Sequence, residues 1–404
     1  MPDPNFPFFW LTLLVTRRKN VAYWRCKVWA WRMKARRSHK TLAVLALVTC
    51  ALGAMMGGND ARAGNGRQEQ ATASPPQAQA PVKPGAQPAN TAAAPPPSPV
   101  LTAQDKELLA EALRLKQALG DEVWPGLGGA SIPVIVYNEG YEFLTGPVNP
   151  APAPPWAKVE KDTFAGEPYF RRPAEHPQAF AVDLGEQWAA SMTSLETMMN
   201  RKVRINPDFY VVLVLHEVFH AFQATVEPAR FREANSVYVL EKSYPAKEPV
   251  FAKAWTEEGA ILAAALKAKD RDETMDRVKA FLRQRDSRRG ALPFNVVTAE
   301  YERQLEWLEG LAKYAEIRFY ELAATRSKEP AFAAYKPGLA YWTWDFLRLE
   351  KQLGAQEGDL RFYLSGMAQA RILDRLSPDW KVRFLKDGGT TEDRLRALIS
   401  VTHN

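Results

Sequence analysis

Val211 to Leu215 form an uninterrupted apolar run that leads directly into His216, Glu217, Val218, Phe219 and His220. Just upstream, Asn206-Pro207-Asp208 has the chemistry of a helix start. Asn caps, Pro suits the first helical position, and Asp favours the positive end of the helix dipole. A helix apolar on every side cannot lie on a surface, so this one must pass through the core and the rest of the chain must pack around it. A β-strand is the competing reading of the Val-rich run.

On a helix, His216 and His220 stand one turn apart, so both imidazoles project from one face and can ligate one zinc ion. Glu217 is rotated off that axis by one residue, where it can take a proton from zinc-activated water without capturing the metal. The bland reading is a pair of core histidines satisfied by backbone or carboxylate partners. Burying His, Glu and His in apolar surroundings is costly without a partner such as a cation.

A catalytic zinc takes three protein ligands, and only His176 and His403 remain as histidines beyond residue 100, so a carboxylate is expected as the third. Glu258 is one candidate, in Trp255-Thr256-Glu257-Glu258-Gly259-Ala260, which reads as opening an Ala/Leu-rich helix. Glu309 is the preferred one, in Trp307-Leu308-Glu309-Gly310-Leu311-Ala312-Lys313-Tyr314, inside a helix expected to begin near Thr298. With Glu302, Glu306 and Glu316 nearby, that stretch also reads as a solvated acidic face. Gly310 has a physical use there, since Gly in a helix interior costs about 1 kcal/mol relative to Ala and suits a place where another helix comes close.

The Trp307–Tyr314 segment resembles the second metal motif of the gluzincins, especially the aminopeptidase N-like family, in which Glu-Gly-x-Ala-x-Tyr supplies the third zinc ligand. The resemblance puts that role on Glu309. Tyr363-Leu364-Ser365-Gly366 is similar to the family's Tyr-x-x-Gly segment, which implies Tyr363 as the donor to the developing oxyanion. Tyr335-Lys336-Pro337-Gly338 has the same spacing, and Tyr363 also reads as an ordinary core tyrosine. No Gly-x-Met-Glu-Asn segment occurs, so aminopeptidase specificity is not implied.

The formal charge of +7 is concentrated at the front of the chain. Residues 1–100 hold 13 of the 53 Lys and Arg but 3 of the 46 Asp and Glu, which leaves 40 basic against 43 acidic side chains in the body. A nucleic-acid partner is therefore not expected, because the basic excess is missing from the part that folds. Cys26 and Cys50 are the only cysteines, so the body has no thiol for a disulfide or a Cys-based zinc site.

Residues 1–63 read as a leader: the basic cluster Lys34–Lys40, an almost uncharged run from Thr41 to Met56, then Ala61-Arg62-Ala63 in a small-x-small cleavage pattern. Met33 is an alternative start. Leu47-Val48-Thr49-Cys50 is an imperfect lipobox, and an uncleaved run would be a membrane anchor. All three readings place the body outside the cytoplasm, periplasmic or extracellular. Residues 64–100 are Ala-, Pro- and Gln-rich and are expected to be a disordered tether.

The body, 101–404, is expected to be α+β and mainly helical, with a zincin-like core. A helix is predicted over Thr102–Leu119, capped by Thr102 and closed by Gly120. Short β-type runs at Ile132–Tyr137 and Ala179–Leu184 predict a small sheet ahead of the metal helix, and the chain after Pro207 reads as mainly helical. The expected activity is zinc-dependent hydrolysis of a peptide or protein substrate. The alternative is a non-catalytic envelope binding protein on the same scaffold, which would have no use for Glu217 as a base.

Overall fold

The computed structural model describes residues 99–175, 177–203, 205–291, 295–336 and 340–401, all within the compact unit Ala46–Asn404. The leader, nearly all of the tether, His176 and His403 lie outside the described residues. The described chain is α+β and mainly helical.

Helix α1, Ala103–Val123, starts where the Thr102 hydroxyl accepts from the Asp105 amide at 3.0 Å. It does not stop at Gly120. A Cβ there would sit 2.7 Å from the Gly128 α-carbon, so this glycine serves a close chain approach inside the helix, and the end falls at Trp124. Six strands follow: β1 Val134–Tyr137, β2 Tyr141–Thr145, β3 Ala157–Lys158, β4 Phe170–Pro173, β5 Phe180–Asp183 and β6 Trp188–Thr193. Their order is β3-β4-β2-β1-β6-β5, with β1 and β6 parallel and every other pair antiparallel. β1 and β5 match the two expected strands.

Strand alternation sorts the side chains. Ile135, Leu144 and Ala189 form one face, covered by Val148, Trp156, Phe170, Val182 and Leu184. The opposite face packs on the metal helix. After a short helix α2, Leu195–Asn200, comes α3, Pro207–Val226, whose N-cap Asn206 accepts from the Asp208 amide at 2.8 Å. The Val-rich run is thus helical. Every residue from Phe209 to Ala224 is buried, and each of its large apolar side chains contributes about 1.5–3 kcal/mol by leaving water. Of the described helices, this is the one long and apolar enough to cross a membrane, and it is spent as the core.

The remaining helices are α4 Pro228–Ser236, followed by a 3₁₀ segment Val237–Ser243, α5 Pro249–Lys267, α6 Arg271–Gly290, α7 Asn295–Leu305, α8 Leu311–Thr325, α9 Ala340–Gln352, α10 Leu360–Leu376, α11 Lys381–Asp387 and α12 Thr391–Val401. Glu258 thus lies mid-helix in α5, which begins at Pro249. Between α7 and α8 the chain stays helical as a π turn, Glu306–Gly310. Such turns insert one residue and re-aim the side chains around them. Glu309 is on this one.

Candidate metal centre

α3 presents His216 and His220 toward the π turn. His220 Nε2 lies 3.1 Å from His216 Nε2 and 3.2 Å from Glu309 Oε2, and His216 Nε2 is 3.6 Å from the same oxygen. All three residues are buried. The two histidines and the preferred carboxylate therefore meet at one point.

The outer partners fix the tautomers. His216 Nδ1 donates to Glu316 Oε2 at 3.2 Å, and Glu316 is paired with Lys313 at 2.7 Å, which pairs in turn with Asp345 at 2.7 Å. His220 Nδ1 donates to Gln223 Oε1 at 3.1 Å, while Gln223 Nε2 donates to the Trp307 carbonyl at 2.8 Å. Since the Trp307 carbonyl can only accept, the amide orientation follows. With both Nδ1 atoms donating, both Nε2 lone pairs converge on Glu309 Oε2. Three lone pairs at such distances repel unless a proton or a metal ion sits among them.

The electrostatics agree. Burial alone would lower the His216 pKa, but hydrogen bonds to Glu309 and Glu316 outweigh it and lift it to about 10. Burial lowers His220. Glu309 resists burial and is held below the usual carboxylate range by His220 and His216. Among protein groups alone, the cluster keeps positive charge at its centre.

Glu217 is different. It is buried, its Oε2 has no hydrogen-bond partner, and burial, reinforced by the charges of Glu309 and Glu316 against that of His216, lifts its pKa to about 8. An unpartnered buried carboxylate oxygen costs on the order of 1–3 kcal/mol or more. At a pKa of about 8 the side chain carries its proton at neutral pH, and a cation held beside it would lower that value and free the carboxylate.

No family model, curated protein or solved structure matches this chain. The donor set itself must indicate the chemistry.

The ring of Tyr363 stacks on His216, with centroids 5.5 Å apart and planes within 11°. Burial raises its pKa well above the ordinary value, helped by the Glu309 and Asp359 charges, so it remains a neutral donor. Tyr335 is elsewhere, donating to Glu111 at 2.7 Å. Glu258 is elsewhere too. It accepts from Arg285 at 2.6 Å and from Arg288 at 2.9 Å within a buried ion cluster that includes Glu302, Glu306 and Glu392. The alternative reading of this stretch as a solvated acidic face does not hold: Glu302 and Glu306 turn into that cluster, Glu316 turns to His216, and all three are buried.

Sequence reasoning missed Gln223, Glu316 and Tyr238. Gln223 was within reach, standing one turn after the metal helix's last histidine, at the spacing where a side chain can meet its ring. Tyr238 carried no signal. Its hydroxyl donates to Glu309 Oε1 at 2.7 Å and lies 2.9 Å from Asp359 Oδ2. A roof covers the site: Phe231 of α4 stacks on Phe180 at 5.2 Å, and Phe180 lies 4.7 Å from the His220 ring.

Proposed function

We propose that this protein is a zinc-dependent hydrolase, a gluzincin-type metallopeptidase on a zincin-like body, with His216, His220 and Glu309 as metal ligands and Glu217 as general base. The observation that carries it is the convergence of the two Nε2 atoms and Glu309 Oε2. Ligand atoms around a tetrahedral zinc, each at about 2.0–2.1 Å, stand roughly 3.4 Å apart, and the three separations of 3.1, 3.2 and 3.6 Å fit that size. Calcium and magnesium prefer all-oxygen sets, so two imidazoles favour a first-row transition metal.

Zinc held there supplies a Lewis acid that makes water a better nucleophile and polarises a carbonyl. Glu217 takes the proton as the water oxygen bonds the scissile carbon. Tyr363, whose ring stacks on His216 and whose hydroxyl lies beside Glu309, would turn its hydroxyl to the oxygen on which negative charge develops. When the carbon–nitrogen bond breaks, Glu217 returns its proton to the leaving amine. The buried Oε2 of Glu217, with no hydrogen-bond partner beside the candidate ligands, favours the enzyme over a binding module.

An extended peptide can pair with β5, the edge strand whose own Phe180 meets His220. Because His216, Glu217, His220 and Glu309 are all buried, the roof must shift for a substrate to enter. The leader supports work outside the cytoplasm, periplasmic or extracellular. The test is Glu217→Gln, assayed on a denatured protein and a peptide library: metal content is expected to stay, and hydrolysis to fall by about a hundred- to ten-thousand-fold. Wild-type hydrolysis that survives this change undiminished would overturn the mechanism.

A further inference from the structure

We propose that Tyr238 is a positioning residue for the metal centre: it occupies one oxygen of Glu309, leaves the other as the single donor, and ties that arrangement to closure of the roof. This rests on the metal-site reading above. A carboxylate with both oxygens free can chelate with either or both. Here Oε2 faces the two histidines, while Oε1 accepts from the Tyr238 hydroxyl at 2.7 Å.

The phenol oxygen has a second neighbour, which can bond it only by donating a carboxyl proton, since the single hydroxyl proton goes to Glu309. Asp359 Oδ2 lies 2.9 Å from the same hydroxyl, and Asp359 is the residue at the start of α10, the helix that carries Tyr363. Tyr238 thereby bridges the π turn bearing Glu309 and the helix bearing Tyr363. It belongs to neither. It sits in the 3₁₀ segment Val237–Ser243, continuous with α4, whose Phe231 packs on Phe180 and faces His220 at 6.5 Å. The neighbouring Val239 is exposed, so this roof is thin: one face is solvent and the other is the metal centre.

The consequence is specific. Partners of metal ligands typically change metal affinity ten- to a hundred-fold when removed, and they orient the ligand. The partners of His216 and His220 are Glu316 and Gln223, the latter on the same helix. Glu309 has two hydroxyls beside it, Tyr363 on α10 and Tyr238 on the part that must move to admit substrate. Opening the roof frees Oε1, and closing it restores a single-oxygen ligand.

The test uses the full-length chain, with cobalt(II) and zinc as probes and a chelator as competitor. Tyr238→Phe keeps the ring and removes the donor. It is expected to bind one metal ion per chain ten- to a hundred-fold more weakly, with a weaker visible cobalt absorption as a second oxygen enters the coordination sphere. Tyr238→His, which retains a ring N–H, is expected to recover most of the affinity and guards against a Phe variant that does not fold. Wild-type affinity and spectrum in Tyr238→Phe would overturn the proposal, as would weaker binding with an unchanged cobalt spectrum. A wild-type chain that binds neither metal would overturn the metal site itself, and this proposal with it.

Discussion

Gly310 and Gly366 press backbone to backbone. A Cβ on Gly310 would lie 2.5 Å from the Gly366 α-carbon, and one on Gly366 would lie 2.6 Å from the Glu306 carbonyl oxygen. Gly310, next to Glu309, and Gly366, three residues past Tyr363, are therefore the two halves of one helix crossing, and this crossing brings the Glu309 carboxylate and the Tyr363 ring to His216. Gly366→Ala must push the helices apart. Overpacking of this kind costs about 1–3 kcal/mol, so chemical denaturation should show that loss, and metal titration a weaker site.

Glu309→Ala and Glu258→Ala should separate metal binding from stability. The first is expected to strip the metal, as it removes the donor at 3.2 Å from His220. The second leaves Arg285 and Arg288 short of a buried partner, which typically costs about 3–5 kcal/mol, yet it should retain one metal ion per chain while the protein is folded. Metal analysis beside urea denaturation of both variants checks this. Reversed outcomes would move the third ligand to Glu258.

Glu316→Gln addresses the imidazole orientation. The amide can still accept from His216 Nδ1 but no longer carries the charge that makes the imidazole a stronger donor. Competition with a chelator should show metal affinity about ten- to a hundred-fold lower.

The ion cluster predicts acid sensitivity independent of the metal. Burial works against the Glu302 carboxylate, but Arg288 and Arg289 outweigh it and bring its pKa down to about 2 from an ordinary 4.5. A carboxylate with a lowered folded-state pKa contributes stability that is full above the unfolded value and is lost as pH falls through the folded one. The loss should therefore run from about pH 4.5 to about pH 2, with an upper bound on the order of 3 kcal/mol for this group. Urea denaturation of metal-free protein across that range should show the decline, and Glu302→Gln, less stable throughout, should show a shallower one.

Much of the candidate metal site was legible because it rests on local rules. One helical turn places His216 and His220 together, and Asn206-Pro207 starts their helix. The Glu-Gly and Tyr-x-x-Gly segments pointed at Glu309 and Tyr363 through their resemblance to gluzincin motifs, and the structure puts the two glycines at one close helix crossing. What stayed hidden depends on tertiary placement. Arg285, Arg288, Arg289, Glu302 and Glu306 look like solvated charges until α6, α7 and the π turn fold them against one another. Strand β4, Phe-Arg-Arg-Pro, is too short and charged to announce itself, and β6, Trp-Ala-Ala-Ser-Met-Thr, lacks a β-branched run. Nothing in Glu306–Gly310 announces a π turn.

The measurement that bears most directly on the account is the metal content of the folded full-length chain, purified without chelators and analysed by mass spectrometry for every first-row metal. Close to one zinc per chain is expected, lost together with activity in His216→Ala and His220→Ala. A well-folded wild-type chain that remains metal-free after equilibration with zinc would contradict it, because His216, His220 and Glu309 would then close on one another with no ion among them.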